Sequence, residues 1–188
     1  MAPAEKERYT FADVLTWGED ERIEVINGEA VMMAPPLRVH QEILMALSRQ
    51  IANFLNGKRC KVYPAPFAVR LFEKDGDAPE DVDTMLEPDI TVVCDPDKLD
   101  KYGCKGAPDM VVEILSPSTR RHDLAVKYRL YQRAGVREYW IVDPDGKTVQ
   151  AFRLDDGFYG AADVYTAGAV PVGIWEDFSI DLSQVFTE

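Results

Sequence analysis

Several things are missing from this chain, and each absence excludes a class of protein. No apolar run approaches the ~20 residues that a membrane-spanning helix needs, and the start "MAPAEKERYTF" has no apolar signal segment. A cytoplasmic protein with no membrane partner is expected. Cysteine is scarce: Cys60, Cys94 and Cys104 form an odd set without CxxC spacing, which argues against a disulfide framework and a zinc site. Reduced, structural thiols are expected. Ser116 and Ser118 sit in no nucleophile elbow, and His122 has no spacing that pairs it with a Ser or Cys nucleophile, so a hydrolase triad is set aside. Positive charge is also short, with 21 Lys and Arg against 33 Asp and Glu for a net −12. A protein that grips a phosphate backbone gains affinity from cations, so this total weighs against nucleic-acid binding. No Pro/Gly/Ser-rich linker and no repeat divides the 188 residues, and one domain over 1–188 is expected.

What is present is ordinary in bulk and uneven in detail. A hydrophobic share of 46% with 29% charged residues is that of a globular protein. Residues 73–101 hold eleven acids against three bases, whereas residues 118–137 hold six bases against one acid. A local basic surface is therefore compatible with the acidic total.

Patterning predicts an α/β (α+β) chain. After a short N-terminal helix, "RIEVI" and "EAVMMA" flank Asn27-Gly28 as a hairpin. Ile43, Leu44, Leu47, Ile51, Phe54 and Leu55 recur at helical spacing, which predicts an amphipathic helix over 39–55 with His40 on its apolar face. Residues 60–72 are strand-like, but Pro64 and Pro66 put them at an edge or a bulge. An acidic loop over 73–87 follows. "DITVVCD" and "DMVVEIL" read as strands covered on both faces, joined by a turn-rich connection. A helix over about 120–134 ends at Gly135. "REYWIVDPDG" and the strands after it complete a mixed sheet flanked by helices, with a C-terminal β extension.

Against this pattern, one residue is out of place. Glu113 sits inside the apolar run "PDMVVEIL", and Asp89 opens the preceding run directly after Pro88. A carboxylate taken out of water needs a partner. If the two strands are neighbours, the acids converge, and two hard oxygen ligands with open positions are the usual protein share of a Mg²⁺ site. Lys127, fourteen residues after Glu113 on the next helix, could orient water and stabilise charge developing on phosphorus. Asp123, at i, i+4 to Lys127, would position it or the helix start. Each has a bland counterpart: a turn-capping Asp89, an outward-facing Glu113, a surface Lys127 pair, a hydrogen-bonded core His40, and a solvent-facing Glu24. Arg120 and Arg121 belong to a basic run that is either a solvated helix face or a phosphate contact. Tyr128, Tyr131, Tyr139 and Trp140 read as core.

Taken in order, "RIEVINGEAVMMAPP" followed by His40, "EPDITVV", "PDMVVEILSPST" with Asp123, Lys127 and Tyr131 behind it, "GVREYWIVDP" and "FSIDLSQVF" span nearly the whole chain. Together they resemble the Uma family of restriction-endonuclease-like bacterial proteins, within the PD-(D/E)XK nuclease superfamily. The resemblance implies a restriction-endonuclease-like fold, with Asp89 and Glu113 as the two acids. It also implies Mg²⁺ (or Mn²⁺) held by both and by a backbone carbonyl such as that of Ile114, and a DNA phosphodiester substrate cut to 5′-phosphate and 3′-hydroxyl ends by a homodimer. His40, Glu24 and Asp123 would line the site. The superfamily lysine, two residues after the second acid, is replaced here by Leu115, and Lys127 would stand in for it. Two other readings stay open: a catalytically silent binding or assembly module of this fold, and a metal-dependent hydrolase of a small phosphate ester.

Overall fold

The computed structural model describes residues 6–18, 22–116 and 123–187, apart from the side chains of Asp123 and Leu124. Among them are three α-helices: α1 (Phe11–Val14), α2 (Arg38–Leu55) and α3 (Tyr128–Ala134). The strands of the first half are β1 (Ile23–Ile26), β2 (Glu29–Met32), β3 (Lys61–Pro64), β4 (Ala68–Arg70), β5 (Met85–Leu86), β6 (Ile90–Val93), β7 (Leu99–Asp100) and β8 (Gly103–Lys105). Those of the second half are β9 (Met110–Ile114), β10 (Glu138–Asp143), β11 (Thr148–Asp155), β12 (Phe158–Tyr159), β13 (Asp163–Tyr165), β14 (Ala169–Pro171) and β15 (Ser179–Asp181).

A seven-stranded sheet runs β12-β11-β10-β9-β6-β3, with β13 also paired to β11. A six-stranded sheet runs β2-β1-β5-β4-β8-β7, and β14 and β15 form a separate pair. Among the described strands only β9·β10 and β4·β8 are parallel, so both larger sheets are mixed. The expected central strands are neighbours: β6 and β9 pair antiparallel with Ile90 opposite Val112.

Strand period decides what each face of the seven-stranded sheet meets. Met110, Val112 and Ile114 point to the side where α2 packs Ile43, Leu47 and Ile51, and the C-terminal Val170, Ile180 and Val185 close this core. Val111 and Leu115 point the other way, toward Leu130 and Tyr131 of α3 and Val69 and Leu86 of the six-stranded sheet. Glu113 shares that second face, only 3% exposed. A solvent-facing Glu113 is therefore ruled out by the layer covering it.

The hairpin turn forms as its residues require. Asn27 and Gly28 both take positive φ, 50° and 88°, the type I′ geometry that matches the twist of the flanking strands. Helix α2 follows Pro35-Pro36 and ends at Leu55, with Asn56 as its cap and Gly57 next at φ 76°. Other expectations need correction. Residues 60–72 divide between the two sheets, with β3 at an edge of one and β4 inside the other. The acidic loop contains β5, and the turn-rich connection contains the β7·β8 hairpin. The expected helix over 120–134 is, within the described residues, a π-turn (Asp123–Lys127) leading into α3. Cys60 and Cys94 are not reduced: the β3·β6 register, with Lys61 opposite Val93, brings them face to face as a disulfide. Sequence spacing of 34 residues hid that pair, because only the sheet register makes them neighbours. Cys104 is a buried free thiol.

Candidate functional site

Asp89 directly precedes β6, whose Ile90 pairs with Val112 of β9, one residue before Glu113. Asp89 is fixed by two donors on one oxygen. Its Oδ2 accepts the Ile114 backbone N–H at 2.7 Å and lies 3.1 Å from His40 Nε2. His40 sits in the first turn of α2 and is 8% exposed. The other ring nitrogen, Nδ1, is buried without a hydrogen-bond partner. Facing a carboxylate, which only accepts, the ring's Nε2–H is the donor.

Glu113 is held from α3 and the turn before it. The Tyr131 hydroxyl donates to Glu113 Oε1 at 2.6 Å, and Lys127 Nζ donates to the same oxygen at 3.0 Å. Lys127 also donates to Glu24 Oε1 at 2.9 Å, and Glu24 accepts the Glu87 backbone N–H at 3.0 Å. Glu24, Glu113 and Lys127 are each 3% exposed. Burial, with the negative charge of Glu113 next in importance, holds the Tyr131 phenol well above its usual range. Tyr131 therefore stays a donor. Behind the cluster, Arg22 bonds Glu87 at 3.2 Å, and burial raises the Glu87 carboxyl above its ordinary range although Arg22 opposes it.

A cavity of about 290 Å³ opens on this group. Asp89, Glu113, Ile114, Lys127, His40 and Arg22 line it, and residues 33–37 form its apolar lip. A second cavity of about 200 Å³ shares Leu37, His40 and Ser116 with the first.

Of the residues singled out from sequence, Asp89, Glu113, Lys127, His40 and Ile114 thus meet at one cavity. Glu24 packs behind Lys127 and is not on the cavity wall. The bland reading of Lys127 as a surface residue is excluded by its burial. Arg120 and Arg121 lie outside the described residues, as does the Asp123 side chain. Leu115, at the position of the superfamily lysine, is 4% exposed in the core. Tyr131, Glu87 and Arg22 are additions. Tyr131 carried a signal, since it lies four residues after Lys127 on one helical face; Glu87 and Arg22 carried none.

Two observations bear on a divalent cation. Two buried carboxylates, Glu24 and Glu113, bond the Lys127 ammonium, and Asp89 lines the same cavity as Glu113 and Lys127, so carboxylate oxygens stand where a cation could bind. Among the described residues, however, no three His, Cys, Asp or Glu side chains are placed to hold one ion together. Mg²⁺ meets both conditions, because it takes one or two carboxylates and fills its remaining positions with water and phosphate oxygens. The residues present fit such an ion.

Sheet order and layers are those of a mixed α/β protein of restriction-endonuclease-like fold. A crystal structure described as "a putative nuclease belonging to DUF820" from Anabaena variabilis ATCC 29413 superposes with a TM-score of 0.74 at 21% identity, covering 95% of this chain and 97% of that one. An uncharacterized protein of Synechocystis sp. (strain PCC 6803), slr1290, is 26% identical over 147 residues, 77% of this chain and 73% of its own length. The chain belongs to the Uma2 family, described as "Putative restriction endonuclease", whose profile matches residues 10–182.

Proposed function

We propose that this protein is a Mg²⁺-dependent nuclease that hydrolyses phosphodiester bonds in DNA. One observation carries the reading: two carboxylates from neighbouring central strands and a buried lysine from the next helical segment open onto one cavity. The family description and the nuclease named in the structural comparison point to the same chemistry.

Asp89 and Glu113, with the Ile114 carbonyl, would hold Mg²⁺, and Mn²⁺ by the same oxygen chemistry. Bound there, the ion supplies a Lewis acid for the phosphate and lowers the pKa of water. The protein's own groups do the rest. His40 and the Ile114 N–H fix the Asp89 carboxylate; Tyr131 and Lys127 fix that of Glu113. Lys127, on the cavity wall, presents a positive charge to the phosphoryl oxygens, whose charge grows as water attacks phosphorus and the P–O3′ bond breaks. The leaving oxygen departs as the 3′-hydroxyl, and the phosphate stays on the 5′ end.

The test is cleavage of supercoiled, linear and single-stranded DNA with Mg²⁺ or Mn²⁺, with Mn²⁺ binding followed by calorimetry. Asp89→Asn and Glu113→Gln should abolish metal-dependent cutting and weaken Mn²⁺ binding. Lys127→Ala should slow cutting by roughly 10²- to 10³-fold, the usual loss for one charge-stabilising donor. A wild type that binds Mn²⁺ through both acids yet cuts no DNA would transfer the site to a small phosphate ester. Absence of both cutting and binding would make the fold a binding or assembly module.

A further inference from the structure

Lys127 is gripped from two sheets at once, and only one of the two grips is explained by the chemistry proposed above. Glu113, on β9 of the seven-stranded sheet, lines the cavity. Glu24, on β1 of the six-stranded sheet, does not, yet its Oε1 takes Lys127 Nζ at 2.9 Å, as close as Glu113 at 3.0 Å. That same oxygen accepts the Glu87 N–H at 3.0 Å, so backbone, not solvent, sets where the carboxylate stands.

We infer that Glu24 is a positioning residue for Lys127: it fixes the ammonium group at the cavity wall, in the place where the superfamily pattern would use a strand lysine. A buried ion pair is a poor source of stability, since burying two charges costs about as much as their attraction returns, and apolar replacements are often neutral or better. A hairpin docked only for stability would be served by a leucine at 24. A lysine that comes from a helical segment has a long, flexible stem, and it needs an external anchor to hold a charge in one place. With Glu24 in position the ammonium has a carboxylate on either side, and its site no longer depends on its own rotamer preferences. Glu24 itself touches neither substrate nor ion.

The rate readout rests on the nuclease reading, so the experiment carries a second readout that does not. Glu24→Gln keeps the shape and the acceptor oxygen; Glu24→Leu removes both bonds. Expected are a roughly tenfold loss of kcat for the first and about a hundredfold for the second, the usual range when a supporting partner of a site residue is removed, with KM and Mn²⁺ affinity unchanged. In a Lys127→Met background Glu24→Gln should cost nothing further, because both changes remove one function. In parallel, NMR relaxation of the ¹³Cε of Lys127 should show a rigid side chain in the wild type and a mobile one in both Glu24 variants. An unchanged kcat, an additive effect on Lys127→Met, or a Lys127 that stays rigid without Glu24 would overturn the inference. If the wild type cuts no DNA, the nuclease reading fails by itself, and Lys127 mobility alone decides the role of Glu24. Should Glu24→Leu not fold, Glu24→Gln decides it.

Discussion

Glu113 interrupts an apolar strand and survives there because side chains from elsewhere in the chain, Tyr131 and Lys127 among them, meet its charge. Its Oε1 takes both the Tyr131 hydroxyl and the Lys127 ammonium, and Glu24 stands on the far side of that ammonium. Buried Glu138, which also sits in a strand, is satisfied differently, by the Trp140 indole N–H and the Ile174 backbone N–H. An acid in a strand was thus readable as a residue needing a partner, but the kind of partner was not. Removing the ammonium takes from Glu24 and Glu113 the cation they share in a buried site, so Lys127→Met should lose about 3–5 kcal/mol in urea unfolding at neutral pH. Glu87 supplies a pH test. Burial raises its carboxyl above the ordinary 4.5, so between that value and the folded-state value the native protein holds a proton that the unfolded chain has released. Stability from this group is present below the unfolded value and is lost as pH rises through the folded one. The stability of the wild type relative to Glu87→Gln should therefore be greater near pH 4 than at pH 7 in paired urea titrations.

Among the elements, length and period separated what could be read from what could not. Helix α2 was legible almost to the residue, because seven of its eighteen residues are buried along one stripe. Leu47 lies at the centre of that stripe, fully buried against the seven-stranded sheet. Leu47→Ala should cost about 2–5 kcal/mol, read as a lower urea midpoint at unchanged slope. Strands β5 and β7 have two residues each, too few for any alternation to register, and both were taken for loop. The π-turn before α3 escaped for a different reason: over one turn its apolar spacing is close to that of an α-helix. The β3·β6 pairing gives a chemical test. With Cys60 and Cys94 joined and the Cys104 thiol pushed up to about 11 by burial, the native protein should show no rapidly reactive thiol. Unfolding without reductant should expose one, and reduction three. Three thiols on unfolding alone would restore the reduced set expected from sequence.

Across the molecule, the adjacency of β6 and β9 is the fact that turns a list of acids into a site, and no local pattern contains it. Two apolar runs whose strands start at Ile90 and Met110 could have lain anywhere in the sheet; their order followed only from the family resemblance. Charge distribution was legible as a total but not as a surface. Of the lysines and arginines among the described residues, only Arg22 and Lys127 line the first cavity, and Lys127 bonds two carboxylates. With a net charge of −12, few phosphates can be neutralised at the site, and each contributes about 0.7–0.9 to the slope of log affinity against log salt. DNA binding by the Asp89→Asn variant, which should not cut, is therefore expected to weaken with a slope of about one to two in magnitude. A nuclease that tracks a long phosphate backbone would give several times that. A steep slope that flattens in an Arg120→Ala, Arg121→Ala double variant would assign those arginines to flanking phosphates. A shallow one would mean that the cavity, with its two acids and one lysine, does the recognising, and that the substrate is held at the phosphate being cut more than along the strand.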